Sequence, residues 1–251
     1  MRPLAVEGLR RSFGSLVAVD GVTFEVHPGE IVGMIGPNGA GKTTTFNCIS
    51  SVIASDAGKV FFDEEDVTGL APHELARRGL VRTFQQTREL ETLTVEENML
   101  LAAPDHPGER AWHAVGRTQA SRGREAKAHE RAMDLLDVFD LDAMVDEYAG
   151  NLSGGQRKLL ELARSLMLDP KMLMLDEPFA GVNPSLTNEI VAHIESLNED
   201  GLTLLIIEHE LETLTALVDR LVVLADGQVL ATGTPGEIME NEEVIDAYLG
   251  G

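Results

Sequence analysis

Cysteine, tryptophan and lysine are scarce in this sequence, and each scarcity excludes something. A single cysteine, Cys48, among 251 residues leaves no partner for a disulfide and no cysteine cluster for a metal. Its place in Phe46-Asn47-Cys48-Ile49 is that expected of a core residue. Aromatics amount to 4%, too few to stack single-stranded bases. Lysine stands only at 42, 59, 127, 158 and 171, and basic residues total 20 against 42 acidic ones, a net charge of −22. Duplex nucleic acid is bound chiefly by neutralising phosphates, so no nucleic acid is expected as a partner. So strong an acidic excess is self-repulsive in dilute buffer and suggests a halophilic, high-salt cytosol. Long apolar runs are missing too: none approaches the roughly 20 residues of a membrane-spanning helix. The start Met1-Arg2-Pro3-Leu4-Ala5-Val6-Glu7 has no apolar signal segment, so the chain is expected in the cytoplasm, free or against a membrane.

What is present is the composition of one globular unit, 43% hydrophobic and 25% charged. Strand patterns are predicted over 4–9, 22–26 and 30–35, the last stopped by Gly36-Pro37-Asn38-Gly39, and again over 58–62 and 80–84. Pro72 suits the first position of a helix reaching about residue 78. From about 87 to 169 the texture is helical, with the capping pattern Thr94-Val95-Glu96-Glu97 and an amphipathic stretch over 124–139; the loop 104–123 looks least ordered. Apolar strands return at 171–176, 203–207 and 221–224, with helices from Pro184 and Glu210 between them. Asp226-Gly227 turns a hairpin into 228–231, and two short helices follow. Fully apolar strands alternating with helices imply an α/β fold around a parallel sheet covered on both faces.

Gly36-Pro37-Asn38-Gly39-Ala40-Gly41-Lys42-Thr43 has the spacing GxxxxGK[ST], directly after a predicted strand and before a predicted helix. Glycines there let backbone amides converge on phosphate oxygens, Lys42 supplies counter-charge, and the Thr43 hydroxyl is a ligand for Mg2+. Thr44 follows in the same turn. Residues 171–175 form a buried strand that delivers Asp176 and Glu177 to the end of the sheet where such sites form. Asp176 is expected to hold Mg2+ through its water shell, and Glu177 to orient and polarise the water that attacks the γ-phosphate of ATP. Between these motifs lies Leu152-Ser153-Gly154-Gly155-Gln156-Arg157-Lys158. Ser153 and Gln156 have capping-box spacing, and a glycine-bare helix start presenting a hydroxyl and free amides is also an anion site.

That segment resembles the signature of the ATP-binding cassette family, and the resemblance extends over essentially all 251 residues. It implies a P-loop NTPase fold of the cassette ATPase type: a RecA-like parallel-sheet core, an antiparallel β subdomain and an inserted α-helical subdomain. The whole chain would be one ATP-binding domain, with the catalytic core at 1–86 and 170–251 and the helical subdomain at about 87–169. Phe13 in Ser12-Phe13-Gly14 matches the aromatic that stacks on adenine. Gln85 in Arg82-Thr83-Phe84-Gln85 matches the glutamine that reaches Mg2+ or the attacking water, with Gln86 a rival by one position. His209 matches the switch histidine that contacts the γ-phosphate. Gly181-Val182-Asn183-Pro184 occupies the dimer-contact loop without the acidic residue many relatives carry there, leaving Asn183 to bond across the interface or cap the next helix. In this family two ATPase subunits, identical or homologous, dimerise head to tail, each signature capping the ATP of the other.

Further segments, Phe46-Asn47-Cys48-Ile49, Val81-Arg82-Thr83-Phe84-Gln85, Ala180-Gly181-Val182-Asn183-Pro184 and Ala247-Tyr248-Leu249-Gly250, are similar to those of ATPase subunits of branched-chain amino acid importers. The implied partners are integral-membrane permease subunits, a second ATPase subunit and, indirectly, a solute-binding protein. The implied location is the cytoplasmic face of the membrane. Urea, amide and lipopolysaccharide transport subunits share parts of these segments, and a soluble ATPase of iron–sulfur cluster assembly would share the core. Chromosome-maintenance and translation ATPases need a long coiled coil or tandem cassettes, which 251 residues do not accommodate. Leu90, Leu93, Val95, Met99 and Leu100 are more apolar groups than a solvated linker requires, and some are expected to line a groove for a permease helix.

Overall fold

The computed structural model describes residues 3–83, 88–104, 119–208 and 211–249. Most of the predicted loop 104–123, together with Gln85, Gln86, His209, Glu210 and Gly250, lies outside them. Two compact units emerge: residues 1–82, 171–180 and 187–251, and residues 83–170 with 181–186.

The first unit holds two sheets. Strands β1 (Leu4–Phe13), β2 (Leu16–Val26), β4 (Ala57–Phe62) and β5 (Glu65–Asp66) pair antiparallel in the order β2-β1-β4-β5. Strands β3 (Ile31–Ile35), β6 (Leu80–Arg82), β7 (Met172–Asp176), β8 (Thr203–Ile207), β9 (Arg220–Ala225) and β10 (Gln228–Gly233) form the other, ordered β10-β9-β3-β8-β7-β6. It is parallel except for the β9–β10 hairpin. Every residue of β3 and β8 is buried, which a strand covered on both faces requires. Helix α1 (Lys42–Ile49) packs on β1 and β2, helix α2 (Pro72–Arg78) on β6, and helix α7 (Leu211–Leu217) on β3. Helices α8 (Pro235–Met239) and α9 (Glu242–Leu249) lie against β10. Phe46, Phe62, Met34, Leu4 and Leu9 are among the side chains that fill the core, and Cys48 is buried with them. Burial pushes its thiol above the ordinary value.

Strands β1 and β2 run furthest beyond their predicted ends, and the sequence pattern predicts no strand at β5. β1 continues through Arg10-Arg11-Ser12, and β2 starts six residues early, because the two pair across a tight turn with Phe13 opposite Leu16. Arg10 there lies opposite Asp20, with which it forms an ion pair of 3.5 Å. Polar residues on a solvent face carry little period-2 signal, and the partner strand supplies what the pattern lacks. β5 is short and exposed, and it exists only as the return of β4.

The second unit is helical, with α3 (Val95–Ala102), α4 (Gln119–Val138) and α5 (Gly154–Leu166) in contact with one another. The predicted capping box opens α3: the Glu97 amide donates to Thr94 Oγ1 at 3.1 Å, and the Thr94 amide to Glu97 Oε2 at 2.8 Å. The fully buried Asn98 amide donates to the carbonyls of Leu90, Leu93 and Thr94. Each of these carbonyls also accepts a backbone amide, so the Asn98 side chain adds a second bond to each and ties the segment before α3 to the helix. Val95 and Met99 are core residues; Leu90, Leu93 and Leu100 are half-buried. Residues 181–186 join this unit because the Leu186 side chain lies where any Cβ on Gly155 would fall. The main segment of this unit, 83–170, lies near the expected 87–169, and 181–186 is added to it. No helix among the described residues is long and apolar enough to cross a membrane.

Candidate active site

The loop 36–41 connects β3 to α1. Gly41 stands at the helix start with φ 95°, in the left-handed region where glycine is favoured. A Cβ there would also collide with the Ala18 carbonyl oxygen of β2. No side chain caps the first amides of α1. The turn at Asp226-Gly227 braces the loop, with the Gly227 amide donating to Ala40 O at 3.1 Å and the Asp20 amide donating to Gly227 O at 2.7 Å. Lys42 is buried, and its ammonium donates to Gly36 O at 2.7 Å and Pro37 O at 3.1 Å. Burial pushes its pKa below the usual lysine value, and the negative charge of Glu177 opposes that. Pro37 and Thr44 are half-buried, Asn38, Gly39 and Thr43 are exposed, and Ala40 is buried.

Asp176 closes β7 and Glu177 follows it, both half-buried. Asp176 Oδ2 accepts from Arg82 Nη2 at 2.7 Å. Arg82 Nη1 donates to Asn47 Oδ1 at 2.6 Å and Ser50 Oγ at 2.9 Å, and the guanidinium lies 5.1 Å from the centroid of the Phe46 ring. One nearly buried side chain thus joins the edge strand β6, the acidic end of β7 and the helix that follows the glycine loop. Arg82 stands within the segment Val81-Arg82-Thr83-Phe84-Gln85, and the sequence alone gives it no separate role. The signal for it was a guanidinium closing the otherwise apolar strand Leu80-Val81-Arg82. Glu208, also unassigned, is 4% exposed and accepts the Phe179 amide at 2.8 Å.

Phe13 ends β1 with 44% of its surface exposed, and the Arg11 guanidinium lies 4.9 Å from its ring centroid. Arg11 is held in turn by Asp56 at 2.8 Å. The Ser12 amide donates to the other Asp56 oxygen, and this bond with Arg11 keeps that carboxyl below its ordinary value.

Ser153, Gly154, Gly155 and Gln156 lie in the second unit at the start of α5. The predicted box is formed: the Ser153 amide donates to Gln156 Oε1 at 2.9 Å and the Gln156 amide to Ser153 Oγ at 3.3 Å. Asn183 caps the helix α6 (Pro184–Glu199), its Oδ1 accepting from the Leu186 amide at 3.1 Å.

The donor set suits Mg2+. Thr43 offers a hydroxyl and Asp176 a carboxylate, hard oxygens of the kind that share this cation with phosphates and water. No group of three or more His, Cys, Asp or Glu side chains able to hold a metal by themselves occurs among the described residues.

A buried lysine in a glycine-rich loop after β3 and a carboxylate pair at the end of β7, two places along the same parallel sheet, define a P-loop nucleotide hydrolase. The ABC transporter family model matches residues 19–180, and a branched-chain amino acid ATP-binding cassette transporter model matches residues 228–251. The chain is 42% identical over its full length to a probable branched-chain amino acid transport ATP-binding protein, LivG, of Archaeoglobus fulgidus, covering 96% of that protein. It is likewise 42% identical to the high-affinity branched-chain amino acid transport ATP-binding protein BraF of Pseudomonas aeruginosa, over 98% of this chain and 97% of the relative. A crystal structure of the ADP conformation of an ATP-binding cassette from an ABC transporter superposes with a TM-score of 0.87 at 36% identity, covering 100% of both chains. The chain belongs to the ABC transporter family, as an ATP-binding subunit that hydrolyses ATP. These relatives do not favour exporters or soluble iron–sulfur assembly ATPases.

Proposed function

We propose that this subunit powers the import of branched-chain amino acids, working at the cytoplasmic membrane face beneath integral-membrane permeases and paired head to tail with a second ATPase subunit. The observation that carries the substrate class is similarity found by two comparisons: full-length relatives with that name, and a family model of branched-chain amino acid transporters over 228–251. A solute-binding protein delivers the amino acid on the other side.

The residues divide the chemistry. The amides at the open start of α1 receive the phosphates of ATP, and Lys42 turns from the Gly36 and Pro37 carbonyls to the phosphate oxygens. Phe13 offers its exposed face to adenine. Thr43 and Asp176, with Gln85, hold Mg2+, which when bound neutralises charge on the β- and γ-phosphates. Glu177 orients the attacking water and takes up its proton, and His209 senses the γ-phosphate. Ser153, Gly154, Gly155 and Gln156 cap the nucleotide of the opposing subunit. The half-buried Leu90, Leu93 and Leu100 contribute to the surface that receives the permease.

Reconstitution of the chain with its genomically neighbouring permeases, ATPase partner and binding protein in liposomes tests this reading. ATP-dependent uptake of leucine, isoleucine or valine is expected. Uptake of urea or short amides in place of these amino acids overturns the substrate, and an ATPase indifferent to the permeases overturns the coupling.

A further inference from the structure

Glu177 occupies the left-handed region, with φ 51°, directly before Pro178. A side-chain-bearing residue held there is strained, and the proline ring further restricts the residue before it. Such a conformation persists only where its surroundings enforce it.

Two bonds from the end of β8 flank the turn. The parallel ladder pairs Asp176 with Ile207, and the Glu177 amide adds one more rung, donating to Ile207 O at 2.9 Å. The chain then turns away: Pro178 has no amide to donate, and the Ala180 amide closes back on Glu177 O at 3.2 Å. Between them the Phe179 amide is taken up by the Glu208 carboxylate at 2.8 Å. Both Phe179 and Glu208 are buried, at 3% and 4% exposure. A carboxylate is costly to bury, and a buried amide is costly to leave unbonded.

We propose that Glu208 is a positioning residue for Glu177, fixing the far side of the 177–180 turn so that the Glu177 carboxylate keeps its direction. This rests on the assignment of Glu177 as the residue that orients water. The requirement is reach and an acceptor oxygen. Gln retains both without the charge, whereas Asp retains the charge and falls one methylene short.

The test compares Glu208→Gln, Glu208→Asp and Glu177→Gln in the full chain, measuring kcat for ATP hydrolysis and, separately, the Kd for ATP by calorimetry. Displacement of a catalytic group by a fraction of an ångström to 1 Å lowers rates by about tenfold to a hundredfold. Glu208→Asp is therefore expected to lose about tenfold in kcat with Kd within about twofold of the parent, and Glu208→Gln to stay within about threefold in both. Equal kcat in the Asp and Gln variants, a Gln variant weaker than the Asp variant, or a Kd that rises in step with the loss of kcat overturns the proposal. Undiminished hydrolysis by Glu177→Gln overturns the role of Glu177 instead. An inactive Glu177→Gln beside unaffected Glu208 variants overturns the positioning role alone. Thermal unfolding of each variant separates loss of fold from loss of alignment.

Discussion

Helix α1 begins at a glycine with no side chain on its first amides, whereas α5 begins at a serine whose hydroxyl takes the Gln156 amide and whose own amide is taken by the Gln156 side chain. Both starts are glycine-rich, and both are candidate anion sites. The first is held open by tertiary contacts: the hairpin at Gly227 braces the loop, and Arg82 fixes the body of the helix through Asn47 and Ser50. The second is held by its own sequence, through a reciprocal pair of bonds within four residues. An open start can receive phosphate without first breaking a cap. At a self-capped start the serine hydroxyl and the Gln156 amide reach a phosphate only by exchanging their mutual bond, which suits a site completed only when a partner brings nucleotide to it.

The largest expected effect concerns what each start does once ATP is present. Glu177→Gln should lower kcat by about 10²–10⁴-fold, the usual worth of a general base, at unchanged ATP affinity. The unhydrolysed γ-phosphate should then draw the signature of a partner onto it. Accumulation of an ATP-dependent dimer in light scattering checks this, and a monomer in the presence of the natural partner subunit breaks the composite-site half of the comparison.

Next comes Arg82→Met, which leaves Asp176 without its nearly buried partner. Such a loss costs about 3–5 kcal/mol of unfolding free energy, read from urea denaturation. A cost as small as that of losing a helix cap would mean that tertiary support does not hold the open start.

Lys42→Ala should weaken ATP binding by about 2–5 kcal/mol, the range for truncating one member of a buried charge contact. Calorimetric titration with ATP checks it, against Ser153→Ala, whose affinity in the isolated chain should be unchanged. Equal losses in the two variants would erase the distinction between the starts.

Ser153→Ala should cost about 1 kcal/mol of stability through the lost cap, seen as a shifted urea midpoint. The smallest effect lies away from both helices. Burial tends to raise the Glu30 pKa, but bonds from Arg220 and the His27 amide outweigh it and hold the value below the ordinary one. The stability Glu30 contributes is thus fully present above the unfolded pKa and is lost as pH falls through the folded one. Glu30→Gln should be less stable than the parent at neutral pH, with the gap closing in acid. A gap independent of pH would count against that ion pair.

Much of this molecule was legible from local chemistry. The glycine loop before α1, the capping boxes at Thr94 and Ser153, the hairpin at Asp226-Gly227 and the apolar strands β3, β7 and β8 all rest on contacts within a few residues or on simple burial, so residue type and spacing determine them. Other features were decided only in three dimensions. The reach of β1 and β2 through polar residues depends on their mutual pairing, and the membership of 181–186 in the helical unit depends on Leu186 meeting Gly155. Arg82 and Asp176 are 94 residues apart, and Glu208 reaches Phe179 across 29. No periodicity records such partners. A buried guanidinium or carboxylate is tolerated only where the fold brings a complementary group to it, and that group is set by how the strands are ordered in the sheet.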